Sequence, residues 1–161
     1  MGNSISKTEL KKLEESGEFV FHGSALKLDI LEPQQAYTFS KTEKKMIKDG
    51  EPAVAATPYA DIAIFRAIIN SENVSGKHWS NFGASIQNGA VLLEFGATKN
   101  TLEQAMGKKG YVFVLYRKDF LPKSGHQKSM DWRCGIKVKP VRAIAVTSED
   151  LPAEIKIVGK N

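Results

Sequence analysis

A chain of 161 residues is long enough to bury a hydrophobic core without disulfides or a structural metal, and it falls within the usual range of one domain. Its 42% hydrophobic and 25% charged residues, with no repeat or low-complexity tract, exclude a disordered, fibrous or solenoid protein. The 23 Lys and Arg against 18 Asp and Glu leave a formal net charge of +5, which steers anionic partners towards the chain without naming one. A lone Cys134 cannot form an internal disulfide, and neither a secretory leader pattern nor an apolar run of about 18 residues occurs, so a cytoplasmic protein without a transmembrane segment is expected.

In chain order, Met1-Gly2-Asn3-Ser4-Ile5-Ser6 fits the pattern for myristoylation at Gly2 in a eukaryotic host. Its simpler reading is a small second residue that permits removal of Met1. Ser6-Lys7-Thr8-Glu9 has the capping-box pattern, and Leu10 and Leu13 follow at helical spacing, predicting a short helix that ends near Gly17. Phe19-Val20-Phe21 is a β-prone run that delivers His22-Gly23-Ser24 at its end. Residues 40–52 are polar and Lys-rich with Gly50 and Pro52 as breakers, and are expected to be an exposed loop. Residues 53–56 form a short buried strand.

Thr57-Pro58 is a helix-start signal for a helix over 59–69, whose apolar residues are too numerous for a narrow stripe, so burial against a sheet is expected. Residues 70–89, rich in Ser, Asn and Gly, read as loop. Strands are expected over 90–95, 111–116, 132–138, 141–146 and 155–158, with one short helix over 101–106. Strands crowd the C-terminal half and helices the N-terminal half, which points to an α+β fold. The expected organisation is a single domain over 1–161, with an N-terminal helical segment (1–17) and a core (18–158). The two loop-like segments, 40–52 and 70–89, are placed beside a ligand cleft.

Neither a Rossmann fingerprint nor a P-loop occurs, and His22, His78 and His126 lack the spacing of a metal site. Cys134 could serve a thiol triad, but in an alternating strand it reads first as a small core residue. His22-Gly23-Ser24 taken alone reads as a turn. Yet Phe19-Val20-Phe21-His22-Gly23-Ser24 resembles the first motif of ADP-ribosyltransferases of the poly(ADP-ribose) polymerase type, a strand ending in His-Gly-Ser or His-Gly-Thr. Residues 52–57 leading into the helix over 59–69 look like that family's second motif, beside the nicotinamide pocket. Met130-Asp131-Trp132-Arg133-Cys134-Gly135-Ile136-Lys137-Val138 resembles the third, with Asp131 where the family has Glu.

The resemblance implies an ADP-ribosyltransferase-like split, mixed or antiparallel β-sheet core with flanking helices, and NAD as substrate. By position, His22 would bond a ribose hydroxyl and the backbone of Gly23, followed by Ser24, would clamp the nicotinamide amide. Asp131 would stabilise the oxocarbenium-like state formed when the nicotinamide–ribose bond breaks. The stacking Tyr of the family's second motif is missing, and Tyr59 or Phe65 are the candidate replacements. Related folds include RNA 2'-phosphotransferases, supported here only by the first-motif His.

Three functions follow as expectations. The first is an NAD-dependent enzyme that transfers ADP-ribose to protein or nucleic acid, a glycosyl transfer, or hydrolyses NAD. The second is a catalytically silent NAD- or ADP-ribose-binding module. The third is a nucleic-acid-binding or interaction protein using Lys44, Lys45, Lys48, Lys108 and Lys109 as a basic face.

Overall fold

In the structure, a computed structural model that describes residues 4–159, the first helix begins earlier than its sequence signal. α1 spans Ile5–Ser16 and is capped by Ser4, whose Oγ accepts the Lys7 N–H at 3.0 Å. Ser6 and Glu9, expected as a capping box, lie inside the helix instead, and Glu9 pairs with Arg142 at 2.6 Å. The helix stops at Gly17, as its sequence suggests, because the chain turns there with a left-handed φ of 73° that glycine adopts without a Cβ clash. The Gly2 acylation pattern lies outside the described residues.

From there the chain runs through β1 (Phe19–Ser24), β2 (Tyr37–Ser40), β3 (Lys45–Lys48), β4 (Val54–Ala56), α2 (Ala60–Ile68), β5 (Ser80–Gln87) and β6 (Ala90–Ala97). It continues as α3 (Lys99–Ala105), β7 (Lys109–Tyr116), β8 (Leu121–Pro122), β9 (Trp132–Cys134), β10 (Arg142–Thr147) and β11 (Lys156–Ile157). The class is α+β. The strands form three small sheets, ordered β1-β7-β10, β4-β9-β8 and β11-β6-β5, and the separate hairpin β2-β3. All described pairings are antiparallel except β11 with β6.

Three expectations are corrected. The segment 40–52 is not a bare loop, because Lys45–Lys48 pairs with Tyr37–Ser40. The segment 70–89 contains β5, joined to β6 by Asn88 and Gly89, both with positive φ, 53° and 80°. That two-residue turn matches the right-handed twist of the strands it joins. Cross-strand pairing and the seating of Phe82 on the Phe65 ring, at 6.1 Å between centroids, override the weak strand propensity of Ser80–Gln87. The strand expected over 132–138 shortens to Trp132–Cys134, whereas the concentration of strands in the C-terminal half holds, with β5 to β11 all following α2.

α2 is the centre of the larger hydrophobic cluster. Seven of its nine residues are buried, as the crowded apolar pattern implies, among them Ile62, Ile64, Phe65 and Ile68. Phe21, Val112 and Val114 of the β1-β7-β10 sheet meet it from one direction and Phe95 of β6 from another. Alternation along β1 turns Val20 to the opposite face, where a second cluster joins Phe113 and Leu115 to Val54, Trp132 and Cys134. Cys134 is buried there as a small core residue. None of the described helices is long and apolar enough to cross a membrane.

The helix approaches the sheet closely because the contact residues are small. A Cβ built on Gly23 would lie 2.0 Å from the Ala63 carbonyl oxygen, and one on Gly110 would lie 2.2 Å from that of Ala67. Two glycines beneath two alanines therefore set the spacing between α2 and the sheet.

The start of α2 also departs from its signal. The Thr57 backbone is held in a bridge to Phe21, so the helix begins only at Ala60, and its N-cap Tyr59 makes no side-chain cap bond. The cap comes from α1, where Glu14 Oε1 accepts the Ala60 N–H at 2.6 Å. Burial raises the Glu14 pKa, and the Ala60 bond opposes that rise. Glu14→Ala is expected to cost about 1–2 kcal/mol in urea unfolding, since it removes a cap and strands an N–H, whereas Glu14→Gln keeps an acceptor and costs less. Equal losses for the two variants would remove the capping role.

Candidate functional site

β1 is an edge strand on the side away from β7, and this edge makes the site. Phe21 exchanges both backbone bonds with Thr57 there, N–H to O at 2.7 Å and O to N–H at 2.9 Å. Beyond that bridge β1 and β4 have no further pairing. Backbone groups alternate sides along an antiparallel strand, so Gly23 directs its N–H and C=O to the same open edge as Phe21. They face a cleft of about 260 Å3 lined by His22, Gly23, Ala55, Ala56, Thr57, Ile62, Ala63, Arg66, Phe82, Met130, Asp131 and Arg133, among others.

His22 faces away from α2, beside Phe113, with ring centroids 6.3 Å apart. Its Nδ1 lies 2.7 Å from the Ala55 carbonyl oxygen, to which an Nδ1–H donates. Burial lowers the His22 pKa, the Ala55 carbonyl opposes that shift and the Arg66 charge adds to it. Near neutral pH the ring is therefore uncharged, with Nε2 free to accept a hydrogen bond from a ligand hydroxyl.

The sign of the pH effect follows. The folded state takes up the His22 proton less readily than the unfolded chain, so this contribution to stability is complete above the unfolded value, about 6.5. It is lost as pH falls below that value. The urea midpoint of the wild type is expected to fall more steeply than that of His22→Gln between about pH 7.5 and about pH 5. Parallel profiles would contradict a neutral, half-buried His22.

Asp131 enters from the opposite wall. Its backbone N–H donates to Ser129 Oγ at 3.2 Å, and the next residue, Trp132, is buried with Nε1–H bonded to the Ser129 carbonyl oxygen at 2.9 Å. The anchored indole fixes where the carboxylate sits. Arg133 stands two residues on, hence on the same side of the strand, and grips both carboxylate oxygens, Nε to Oδ1 and Nη2 to Oδ2, each at 3.1 Å. The same guanidinium reaches Asp49, Nη1 to the backbone oxygen at 2.7 Å and Nη2 to Oδ2 at 3.2 Å. Lys123 also bonds Asp49, and these cations, Lys123 foremost, hold the Asp49 carboxyl below its usual range. The hydrogen bond that Arg133 donates to Asp131 is the main cause of its raised pKa.

The remaining sequence-flagged residues sit elsewhere. Ser24 lines a neighbouring cavity, and its Oγ accepts the Leu26 N–H at 3.1 Å in a turn. Tyr59 gives its hydroxyl proton to the Lys128 carbonyl oxygen at 2.5 Å and does not line the His22 cleft. Phe65 is buried between Phe82 and Phe95 and reaches only the neighbouring cavity. The phenylalanines that do line the cleft are Phe21 and Phe82. Gly23 is required for a different reason from the one its motif suggests, because its missing side chain makes room for the Ala63 carbonyl rather than for a ligand.

Sequence reading passed over Arg66 and Arg133. Arg66 is the lone charge within the apolar stretch Ile62–Ile69, a placement that calls for a reason, and Arg133 follows Asp131 at the same-face spacing of a strand. A larger groove of about 680 Å3 along β5, β6 and β11 collects Glu94, Glu154 and Lys156 but neither His22 nor Asp131. The five lysines expected to form a basic face divide between the β2-β3 hairpin and the turn into β7. Compared with models of protein families, with curated proteins and with solved structures, the chain matches none.

Proposed function

We propose that the cleft at the open edge of β1 binds NAD and that the protein acts in the manner of an ADP-ribosyltransferase. One observation carries this reading: the three segments that resemble that family's motifs, far apart in sequence, contribute His22 and Gly23, then Ala55, Thr57, Ala63 and Arg66, and finally Asp131 to a single cleft. In the proposed complex the Gly23 N–H and C=O pair with the nicotinamide carboxamide, one donating and the other accepting. His22 Nε2 accepts from a ribose hydroxyl.

When the nicotinamide–ribose bond breaks, its electron pair leaves with the nicotinamide and cancels the pyridinium charge, and the ribose carbon becomes oxocarbenium-like. The Asp131 carboxylate stabilises that charge until water or an acceptor nucleophile attacks. The nucleophile's proton leaves to solvent.

A second reading, a binding module without turnover, has its own support in the pairing of both Asp131 oxygens with Arg133. A carboxylate already neutralised by a guanidinium offers less field to a developing cation. Thermal stabilisation by NAD together with a nicotinamide-release assay separates the two. Stabilisation with release supports the enzyme, stabilisation without release supports the module, and an unchanged melting temperature at saturating NAD contradicts both.

A further inference from the structure

Arg66 is a charge without a partner. Its guanidinium makes no hydrogen bond or ion pair with any described residue, although Asp131 is near enough for its negative charge to favour the cation. Asp131 is instead taken up by Arg133. What holds Arg66 in place is Phe82, over whose ring the guanidinium lies at 5.5 Å from the centroid. Protein packed around part of Arg66 lowers its pKa, yet the residue as a whole is exposed to solvent.

The position of Arg66 is as informative as its charge. Two cavities meet at it: the His22 cleft of about 260 Å3 and a neighbouring one of about 530 Å3 on the other side of Gly23, Arg66 and Phe82, which all line both. The first is small for a dinucleotide, whereas the pair gives an elongated path with one guanidinium at its middle. The second cavity presents Ser24, Ser71 and Glu72, groups suited to the hydroxyls and ring nitrogens of a nucleoside, while the Asn70 amide beside them is committed to the backbone. A planar donor fork with no protein acceptor, fixed on an aromatic face, suits two phosphate oxygens.

We propose that Arg66 binds the diphosphate of a dinucleotide that lies across both cavities, its nicotinamide end in the His22 cleft and its second nucleoside beside Ser71. The assignment of the two ends rests on the NAD reading above, and the anchoring of phosphate on Arg66 does not. Asp131, nearby but clamped by Arg133, leaves the Arg66 donors open to the ligand.

Calorimetric titration of the full chain and of Arg66→Ala with NAD, ADP and nicotinamide riboside tests the proposal. Loss of a charge-assisted bidentate contact is expected to weaken NAD and ADP about ten- to a hundredfold and to leave nicotinamide riboside unchanged. Arg66→Lys keeps the charge without the fork and should recover only part of the loss. Arg66→Gln, which preserves stem packing, serves if the alanine variant melts early, and should give the same selective loss. Wild-type salt dependence of NAD binding should flatten in the variants.

If NAD binds the wild type and Arg66→Ala equally, the diphosphate anchor is overturned while the NAD reading stands. If ADP binds in an Arg66-dependent way but NAD does not bind, phosphate recognition by Arg66 stands and both the NAD reading and the dinucleotide placement are overturned. Equal losses for all three ligands would indicate a disrupted cleft and overturn the anchor. Binding of none of them to the wild type would overturn both readings.

Discussion

Gly23→Ala is expected to destabilise the fold by about 3 kcal/mol, because the added methyl would sit 2.0 Å from the Ala63 carbonyl oxygen and 2.8 Å from the Ala67 nitrogen. Both are backbone atoms of a helix buried on several sides, so neither can swing aside as a side-chain tip would. Relief requires α2 to move off β1, which loosens the contacts of Phe21 and Phe65 as well. Gly83→Ala in β5 is the matched control, since its Cβ meets nothing within 4 Å and should change stability by less than about 0.5 kcal/mol. Urea unfolding of the two variants makes the comparison. A Gly23→Ala protein within about 1 kcal/mol of wild type would mean that close packing of α2 does not dictate this glycine.

Asp131→Ala is expected to lower nicotinamide release about a hundredfold or more while NAD affinity stays within a few fold, because the carboxylate meets a charge that exists mainly in the transition state. His22→Ala should show the reverse bias. In the proposed complex its Nε2 contact exists before and during the reaction, so NAD binding should weaken by about 0.5–1.5 kcal/mol and turnover of bound substrate should change little. Asp131→Glu adds a methylene to a carboxylate whose two oxygens are held by Arg133 at 3.1 Å, and so must break that pairing or displace it. A site tuned to aspartate loses turnover with glutamate, and a silent site whose only defect is reach gains it. Calorimetry for binding, the release assay for turnover and melting curves for folding together decide. If all three variants matched an active wild type, Asp131 and His22 would not be the working residues.

Much of the fold was legible because local pattern and tertiary context agree. The strand ending in His22-Gly23-Ser24, the crowded apolar helix α2 and the stop at Gly17 all carry signals that packing reinforces. The misread segments are those where context overrode local preference. Ser80–Gln87 has the composition of a loop, and only its Asn88-Gly89 turn signals the hairpin that pairs it with β6. Thr57-Pro58 signals a helix start, yet the Phe21 bridge keeps Thr57 extended and hands the cap to Glu14, 46 residues away in sequence.

The candidate site divides in the same way. His22 and Asp131 could be named from their motifs, but what each can do depends on partners that no local pattern predicts: the Ala55 carbonyl that fixes the imidazole tautomer and the guanidinium that clamps the carboxylate. Tyr59 was an attractive stacking residue by type and position, but its hydroxyl is committed to the Lys128 carbonyl instead. Arg66 needed both cavities to be seen before its isolation acquired meaning.

The central claim is that NAD occupies the cleft at the open edge of β1. It is tested most directly by adding NAD to isotopically labelled protein and mapping the amide resonances that shift. The expected result is a saturable response concentrated at Gly23, Thr57, Arg66 and Asp131, with the Gly23 N–H moving most because its donor gains a partner. No saturable response, or one confined to the groove along β5, β6 and β11, would contradict it.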